Sequence, residues 1–436
     1  MTVTCDICKA TSDLEETFFK KRKTFRLKIT TYCPVCWQKK RASSISSYFG
    51  WGIFLLIGIA FVVQDPQEGW LFLNLFFAGL TTLLMIIPHE LGHAFAAKWL
   101  GNQVFRIVLG NGRILKTGKM FGFAYEIRQF PFLGLTYCFS KSSRWYRLKR
   151  FSIVVAGPVA NLCFFLLALR IPQSDNLIHS LTRSPSPAGW LILANGWILA
   201  VNLLPYRLNL PDGKIPNDGL SLLMMPFLPK RAIEEILPLY YVFEGFEFLR
   251  NQKYAKAKSS YLQGLARHSE YPLLRNGLGV VQLEMGEVEE ARTIFAQLLD
   301  QSDATNKLFH ALLQNNLAYA HLLVDRQGLL EEADNLSAEA FRSFPWLPSI
   351  TNTRAIVLVE SGELDKGIAL LKQAMEESEE FRGKAVNAAY LAIAEARKGK
   401  QESAKQYLVM ARQFDENCPW IQEAQKELLH MPSPAN

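Results

Sequence analysis

A chain of 436 residues is too long for one ordinary hydrophobic core, and its 49% hydrophobic content is crowded between about residues 42 and 228, so two or three unlike domains are expected. The net charge of +8 would suit nucleic acid. Basic residues flanking apolar stretches are, however, the pattern of a cytoplasmic membrane face, and nucleic acid is set aside as a partner. Seven cysteines, four of them in two pairs near the N-terminus, exclude a secreted disulfide framework.

The first forty-one residues carry Cys5-Asp6-Ile7-Cys8 and Cys33-Pro34-Val35-Cys36, two C-x2-C knuckles. Four thiolates so spaced suit tetrahedral zinc, and a reducing cytosol keeps them available. Cys5, Cys8, Cys33 and Cys36 are therefore expected to hold a structural zinc in a ribbon over 1–41, which folds around its metal whatever else it does. The basic run Lys20, Lys21, Arg22, Lys23 stands just before a membrane entry, where anionic lipid is its natural contact. The first apolar run begins past residue 42, behind a Cys-paired segment rather than a short basic one, so no cleavable signal peptide is expected.

Uncharged stretches at 42–64, 69–88, 151–169 and 184–206 each have about the length a helix needs to cross roughly 30 Å of hydrocarbon. Residues 1–41 hold ten Lys and Arg against four acids, and 101–150 hold ten against the single Glu126. The opposite loops, 65–68 and 171–183, hold one basic residue, Arg183. By the positive-inside rule the N-terminus, the 101–150 loop and everything after Tyr206 are cytosolic. The expected protein is thus integral and multi-pass, with both termini in the cytosol.

At the second span sits His89-Glu90-Leu91-Gly92-His93. Residues i and i+4 stand one above the other on a helix, so two imidazoles reach one zinc ion, and Glu90 beside them is placed to take a proton from the attacking water and pass it to the leaving amine. Ionisable side chains inside a spanning helix are costly and mark function. A zinc hydrolase takes a third protein ligand. After Asn202-Leu203-Leu204-Pro205 come Asp212-Gly213 and Asp218-Gly219. Asp218 precedes the apolar run Leu220 to Leu228 and is suited to open a helix, whereas Asp212 follows Pro211 in a turn signature, so Asp218 is the favoured third ligand and Asp212 the alternative. The third span opens with Ala156-Gly157-Pro158-Val159-Ala160-Asn161, small residues that permit close helix approach and an Asn that needs a partner.

The ordered set H-E-L-G-H, A-G-P-V-A-N and N-L-L-P followed by D-G resembles the site-2 protease family of intramembrane zinc metalloproteases, over about residues 48–228. The resemblance implies zinc on His89, His93 and Asp218, with Glu90 as catalytic base. It also implies that Asn161 and Asn202 contact substrate backbone or support the ligands. The spacing departs from many members, which place the aspartate closer to the proline than Asp218 is to Pro205. Residues 104–139 alternate in places with Gly between and read as short strands. Relatives carry a β-rich loop here that dips toward the membrane, where an edge strand can pair with an extended substrate.

After Pro229 the chain repeats itself. Segments beginning at Gly286, Gly328, Gly362 and Gly399, with a weaker copy at Gln252, share one register and start 34, 42, 34 and 37 residues apart. That period resembles the 34-residue tetratricopeptide repeat, and about five helical hairpins should stack into a solenoid that takes a protein or peptide partner.

The expected fold is mainly α: a zinc ribbon (1–41), a polytopic helical membrane core with a small β-rich loop (42–228), and a cytosolic α-solenoid (229–436). The function it implies is an intramembrane zinc metalloprotease with one catalytic and one structural zinc. It would cut a transmembrane protein substrate within the lipid bilayer. A non-catalytic membrane adaptor acting through its repeats is the competing reading, disfavoured because an adaptor has no use for a costly buried metal site. A membrane-bound transcription regulator lacks a recognition helix and ranks last. The topology is testable: reporters fused at residues 41, 120 and 436 should all read cytosolic and one within 175–183 external, and an external reading at 436 would remove an odd number of spans.

Overall fold

The computed structural model describes residues 3–4, 11–12, 20–23, 29–32, 55–56, 59–60, 62–64, 66–172, 177–210, 213–302, 306–378 and 381–430. Cys5, Cys8, Cys33, Cys36, Asp212 and most of the 42–64 stretch lie outside the described residues. Near the N-terminus, β1 (Val3–Thr4) pairs with β2 (Thr11–Ser12), and β3 (Lys20–Lys23) with β4 (Ile29–Tyr32), both antiparallel. Contacts divide the chain into two compact units, Ala42–Glu247 in one, and Met1–Arg41 with Phe248–Asn436 in the other.

The first unit is built on helix α1 (Pro66–Trp99, 34 residues). It runs on beyond the 69–88 span read from the sequence, so the H-E-L-G-H motif lies inside the helix rather than at its end. After α1 come strands β5 (Gln103–Met120) and β6 (Phe123–Phe139), then helices α2 (Tyr146–Leu169), α3 (Leu177–Arg183) and α4 (Pro187–Leu203). A hairpin of β7 (Arg207–Leu210) and β8 (Gly213–Pro216) precedes α5 (Asp218–Met224), α6 (Lys230–Ile236) and α7 (Leu239–Arg250). Among the described residues, two helices, Trp70–Trp99 and Tyr146–Leu169, are long and apolar enough to cross a membrane. The apolar α4 is shorter, 17 residues, or about 25 Å at 1.5 Å per residue.

Close backbone approach fixes the crossing of α1 and α2. A Cβ on Gly92 would lie 2.5 Å from the carbonyl oxygen of Ala156, so the small residues of the A-G-P-V-A-N segment meet the glycine of H-E-L-G-H. Far along α1, Asn74 is fully buried. Its amide donates to the carbonyls of Leu181 and Ser184, both at 2.8 Å, and its oxygen accepts from Ser186 N at 3.0 Å and Trp190 Nε1 at 2.6 Å. All four hydrogen-bonding positions of the amide are filled, which lets an asparagine sit in an apolar layer and tie α1 to the α3–α4 turn.

The short strands expected in 104–139 are two long ones. They turn at Phe121 and Gly122, both at positive φ, and the pairing shifts register repeatedly between Val104 and Lys116. Residues 107–109 pair with Thr136, Leu135 and Gly134 and also with Tyr125, Glu126 and Ile127, so the hairpin folds back on itself. Ala94, Ile107, Leu109 and Phe123 form its core against α1, packed by Ile86, Ile87 and Leu91. The hairpin also meets α7: Phe243 stacks on Phe139 with centroids 4.5 Å apart, and Arg106 bridges Glu126 at 2.7 Å and Glu247. The first unit therefore runs past residue 229, to Glu247.

From Phe248 on, the second unit is helical: α8 (Tyr254–Leu265) is followed by pairs α9 (Pro272–Met285) and α10 (Val288–Gln301), α11 (Lys307–Val324) and α12 (Leu330–Ser343), α13 (Pro348–Glu360) and α14 (Leu364–Glu377), and α15 (Phe381–Arg397) and α16 (Gln401–Phe414). Among the described residues four pairs follow α8, and the weaker copy at Gln252 makes the same turn between α7 and α8: Gln252 is at positive φ, its N–H donates to the Leu249 carbonyl, and that of Lys253 donates to the Phe248 carbonyl. Gly286, Gly362 and Gly399 end the first helix of their pairs at φ of 81°, 83° and 77°, the left-handed cap that glycine adopts without steric cost. The small residue of each copy, Ala257, Ala291, Ala333 and Ala404, is fully buried, and Gly367 is buried at the same place. The 42-residue interval comes from the 18-residue α11 and the longer link to Leu330. Helix α17 (Trp420–Leu429) closes the stack: Trp420 packs on Tyr390, with centroids 4.8 Å apart, and donates from Nε1 to Tyr319 Oη at 3.0 Å. Trp420→Ala should cost about 3–5 kcal/mol of solenoid stability, seen as faster hydrogen exchange across α15 and α16 of the full chain; unchanged exchange would mean that α17 is not part of the core.

Candidate functional site

His89 and His93 stand one turn apart on α1, both buried, with ring centroids 4.8 Å apart. Which ring nitrogen carries the proton follows from their partners. Asn195 on α4 donates from Nδ2 to the carbonyl of Leu191 at 2.8 Å, which turns its oxygen toward Asn161 on α2. Asn161 donates from Nδ2 to that oxygen at 2.8 Å and to the Met85 carbonyl at 3.3 Å, which turns its own oxygen to His89 Nδ1, 2.6 Å away. His89 Nδ1 is thereby the donor. His93 Nδ1 donates likewise to the carbonyl of Ile153 at 2.7 Å. That leaves Nε2 as the bare nitrogen each ring can offer to a metal.

These two bare nitrogens face each other at 3.2 Å. Asp218 Oδ2 completes the triangle, 3.0 Å from His89 Nε2 and 3.4 Å from His93 Nε2. Three lone pairs converging in a buried site repel one another unless a cation sits among them. Two imidazoles and one carboxylate are also a donor set that suits zinc and leaves a further coordination position open. Space is reserved as well: a Cβ on Gly157 would collide with Nε2 of both histidines, so α2 passes beneath the cluster only because that residue is glycine.

Asp218 is placed by its neighbours. Asn217 caps α5, its oxygen accepting from Leu220 N and Tyr206 N, each at 3.1 Å. Its amide donates to the carbonyls at the end of α4: Leu204 at 2.6 Å, Asn202 at 3.0 Å and Val201 at 3.3 Å. One side chain thus closes α4 and opens α5, satisfying end groups of both helices. A Cβ on Gly219 would collide with the Leu203 carbonyl, so glycine is required where α5 presses against α4. The N-D-G sequence is accounted for position by position: cap, carboxylate, close approach.

Glu90, also buried, lies beside the triangle; it and the two histidines offer ligand atoms within 4.8 Å of one another. Its Oε2 accepts from Thr136 Oγ1 on β6 at 2.7 Å. The structure therefore brings together His89, Glu90, His93, Asp218 and Asn161. Asn202 enters through its main-chain carbonyl, and its side chain makes no hydrogen bond to the cluster. Asp212 and the four N-terminal cysteines lie outside the described residues. Reasoning from sequence missed Asn195, Asn217 and Thr136, and read Gly157 only as a small residue for close helix approach. Only Asn217 carried a local signal, as an Asn three residues before the backbone N–H it caps.

Comparison with known proteins bears on both halves of the chain. Residues 76–173 match peptidase family M50. They hold α1 from Phe76 on with its H-E-L-G-H motif, the hairpin and α2. M50 peptidases are membrane-embedded and zinc-dependent, so the site-2 protease resemblance of the motifs extends to this whole segment. Residues 248–315 match the tetratricopeptide repeat, which supports a protein or peptide partner for that part. No curated protein matches the chain. Similar solved structures include a thermophilic tetratricopeptide-repeat protein of Thermus thermophilus, with 21% identity, TM-score 0.35, and coverage of 44% of this chain and 99% of that one. Another is YrrB, described as a tetratricopeptide-repeat protein with an unusual peptide-binding site, with 18% identity, TM-score 0.29, and coverage of 45% and 96%.

The asparagine relay predicts a graded loss of metal. Asn161→Ala should weaken zinc binding at the His89, His93 and Asp218 cluster by about 10- to 100-fold, measured by chelator competition, and Asn195→Ala should weaken it in the same direction but less. Unchanged affinity in Asn161→Ala would mean that His89 needs no orienting partner.

Proposed function

We infer that the chain is an intramembrane zinc metalloprotease of site-2 protease type, hydrolysing a peptide bond in or near a transmembrane helix of a membrane-tethered protein. The observation that carries this reading is the convergence of His89 Nε2, His93 Nε2 and Asp218 Oδ2 on one buried point with the Glu90 carboxylate beside it. The M50 match, which covers His89, Glu90 and His93 but ends before Asp218, supports it.

His89, His93 and Asp218 would hold the zinc, which when bound supplies a Lewis acid that polarises the scissile carbonyl and makes water a better nucleophile. Glu90 accepts the proton of the attacking water and delivers it to the departing amine, the work of a general base that becomes a general acid. Asn161 and Asn195 keep the proton of His89 on Nδ1, and Ile153 does so for His93, so that both Nε2 lone pairs point at one place. Asn217 holds the end of α4 against the start of α5 and so fixes the distance of Asp218 from α1. Counted from Trp70, His89 lies about 28 Å along the helix at 1.5 Å per residue, which places the site toward the cytosolic end, within reach of water.

The finer organisation belongs to the same proposal: four spans, both termini cytosolic, a second zinc on Cys5, Cys8, Cys33 and Cys36, and a cytosolic solenoid that recruits the substrate or a regulatory protein. The boundaries are 1–41, 42–228 and 229–436, with 229–247 packed on the membrane unit. The reading is tested by Glu90→Gln, which keeps shape but cannot take the proton: it should abolish cleavage while zinc content stays at wild-type level. Asp218→Ala should lose both activity and the catalytic-site zinc. Near wild-type processing by Glu90→Gln would overturn the assignment of Glu90 as the base, and a zinc-loaded wild type that cuts nothing would leave the adaptor reading.

A further inference from the structure

Building on the protease reading, we propose that Thr136 is a positioning residue for catalysis, its hydroxyl holding the Glu90 carboxylate so that Oε1 is the oxygen that carries the proton. Glu90 projects from α1 toward β6, and two residues of that strand grip its carboxyl group. Thr136 Oγ1 lies 2.7 Å from Oε2, and 3.1 Å from the main-chain carbonyl of Glu90 itself. A hydroxyl has one proton, and the shorter contact to the charged acceptor takes it. Gly134 occupies the other side: a Cβ there would collide with Oε1, Cγ and Cδ of Glu90. Residues 134 and 136 point to one face of the strand, and β6 is held in register by the pairing of Leu109 with Gly134 and of Ile107 with Thr136.

The two contacts do different work. A glutamate side chain has three rotatable bonds, and its terminal torsion is broad, so an untethered carboxylate spreads over many orientations. The hydroxyl occupies Oε2 and stops that rotation. The missing side chain at Gly134 leaves Oε1 its place. Proton transfer requires the base within hydrogen-bond reach of the water in a productive orientation, and a small misplacement of a catalytic group is costly in rate. The hairpin thereby contributes to the reaction itself, besides packing against α1.

The test compares variants of the full-length, zinc-loaded protein in detergent, with Glu90→Gln as the blank. The substrate is a tagged single-span model helix with a helix-breaking Asn-Pro pair in its cytosolic half. Thr136→Val removes the hydroxyl at nearly constant shape and should lower kcat by about 10- to 100-fold with KM and zinc content unchanged. Thr136→Ser, which keeps the hydroxyl, should restore kcat. Gly134→Ala should abolish turnover while the chain still binds zinc. An unchanged kcat in Thr136→Val, a loss that appears in KM, a Ser variant no better than Val, or a Val variant that fails to fold or load zinc would each overturn the positioning role, leaving the protease reading intact. A zinc-loaded wild type that cuts no better than Glu90→Gln would overturn that reading, and this role with it.

Discussion

Three electron-rich atoms, Nε2 of His89, Nε2 of His93 and Oδ2 of Asp218, are held within 3.4 Å of one another in the interior. Holding them there needs rigid support from three directions, and much of the first unit supplies it. Helix α1 carries both imidazoles on one face because its periodicity puts i and i+4 together. Helix α2 crosses at Gly92 closely enough for Asn161 and the Ile153 carbonyl to reach the far nitrogens of the rings. Helices α4 and α5, joined through Asn217, bring in the carboxylate from a part of the chain more than a hundred residues away.

The same constraint explains why glycine recurs at contacts a side chain would block. Gly92, Gly157, Gly134 and Gly219 each stand where an added Cβ would strike a backbone oxygen, a ring nitrogen or the Glu90 carboxyl group. In an apolar layer, where hydrophobic burial gives helices little reason to associate, close backbone contact and interhelical hydrogen bonds are the forces that remain. Asn74, Asn161 and Asn195 provide such bonds, and each is fully buried with its amide partnered. The hairpin adds a third wall, and its contacts with Phe243 and Glu247 make α7 up to Glu247 part of the first unit.

Much of this is legible in the sequence, because the signals are local. H-E-L-G-H declares its geometry through helix periodicity alone, the repeats declare theirs through a glycine and a small residue at a fixed offset, and turn chemistry favours Asp218 over Asp212. What escapes is long-range. Asn195 meets Asn161 across 34 residues and Thr136 meets Glu90 across 46, and no window of sequence contains either pair. The strands of 103–139 look short because glycines interrupt the alternation, whereas in the fold Gly110 and Gly112 take positive φ within β5, which stays continuous. The 184–206 stretch looks long enough to span, yet its helix begins after Ser186 and stops before Pro205, each held by its own cap.

Whether zinc occupies the point where the three lone pairs converge is read by X-ray absorption at the zinc edge on a full-length Cys5→Ser/Cys8→Ser variant, in which the N-terminal cysteines no longer form a complete ligand set. The expected spectrum is that of one tightly bound zinc whose first shell is nitrogen and oxygen, with the outer-shell scattering of two imidazoles. A sulfur-only shell, or a variant that retains no zinc, would contradict it.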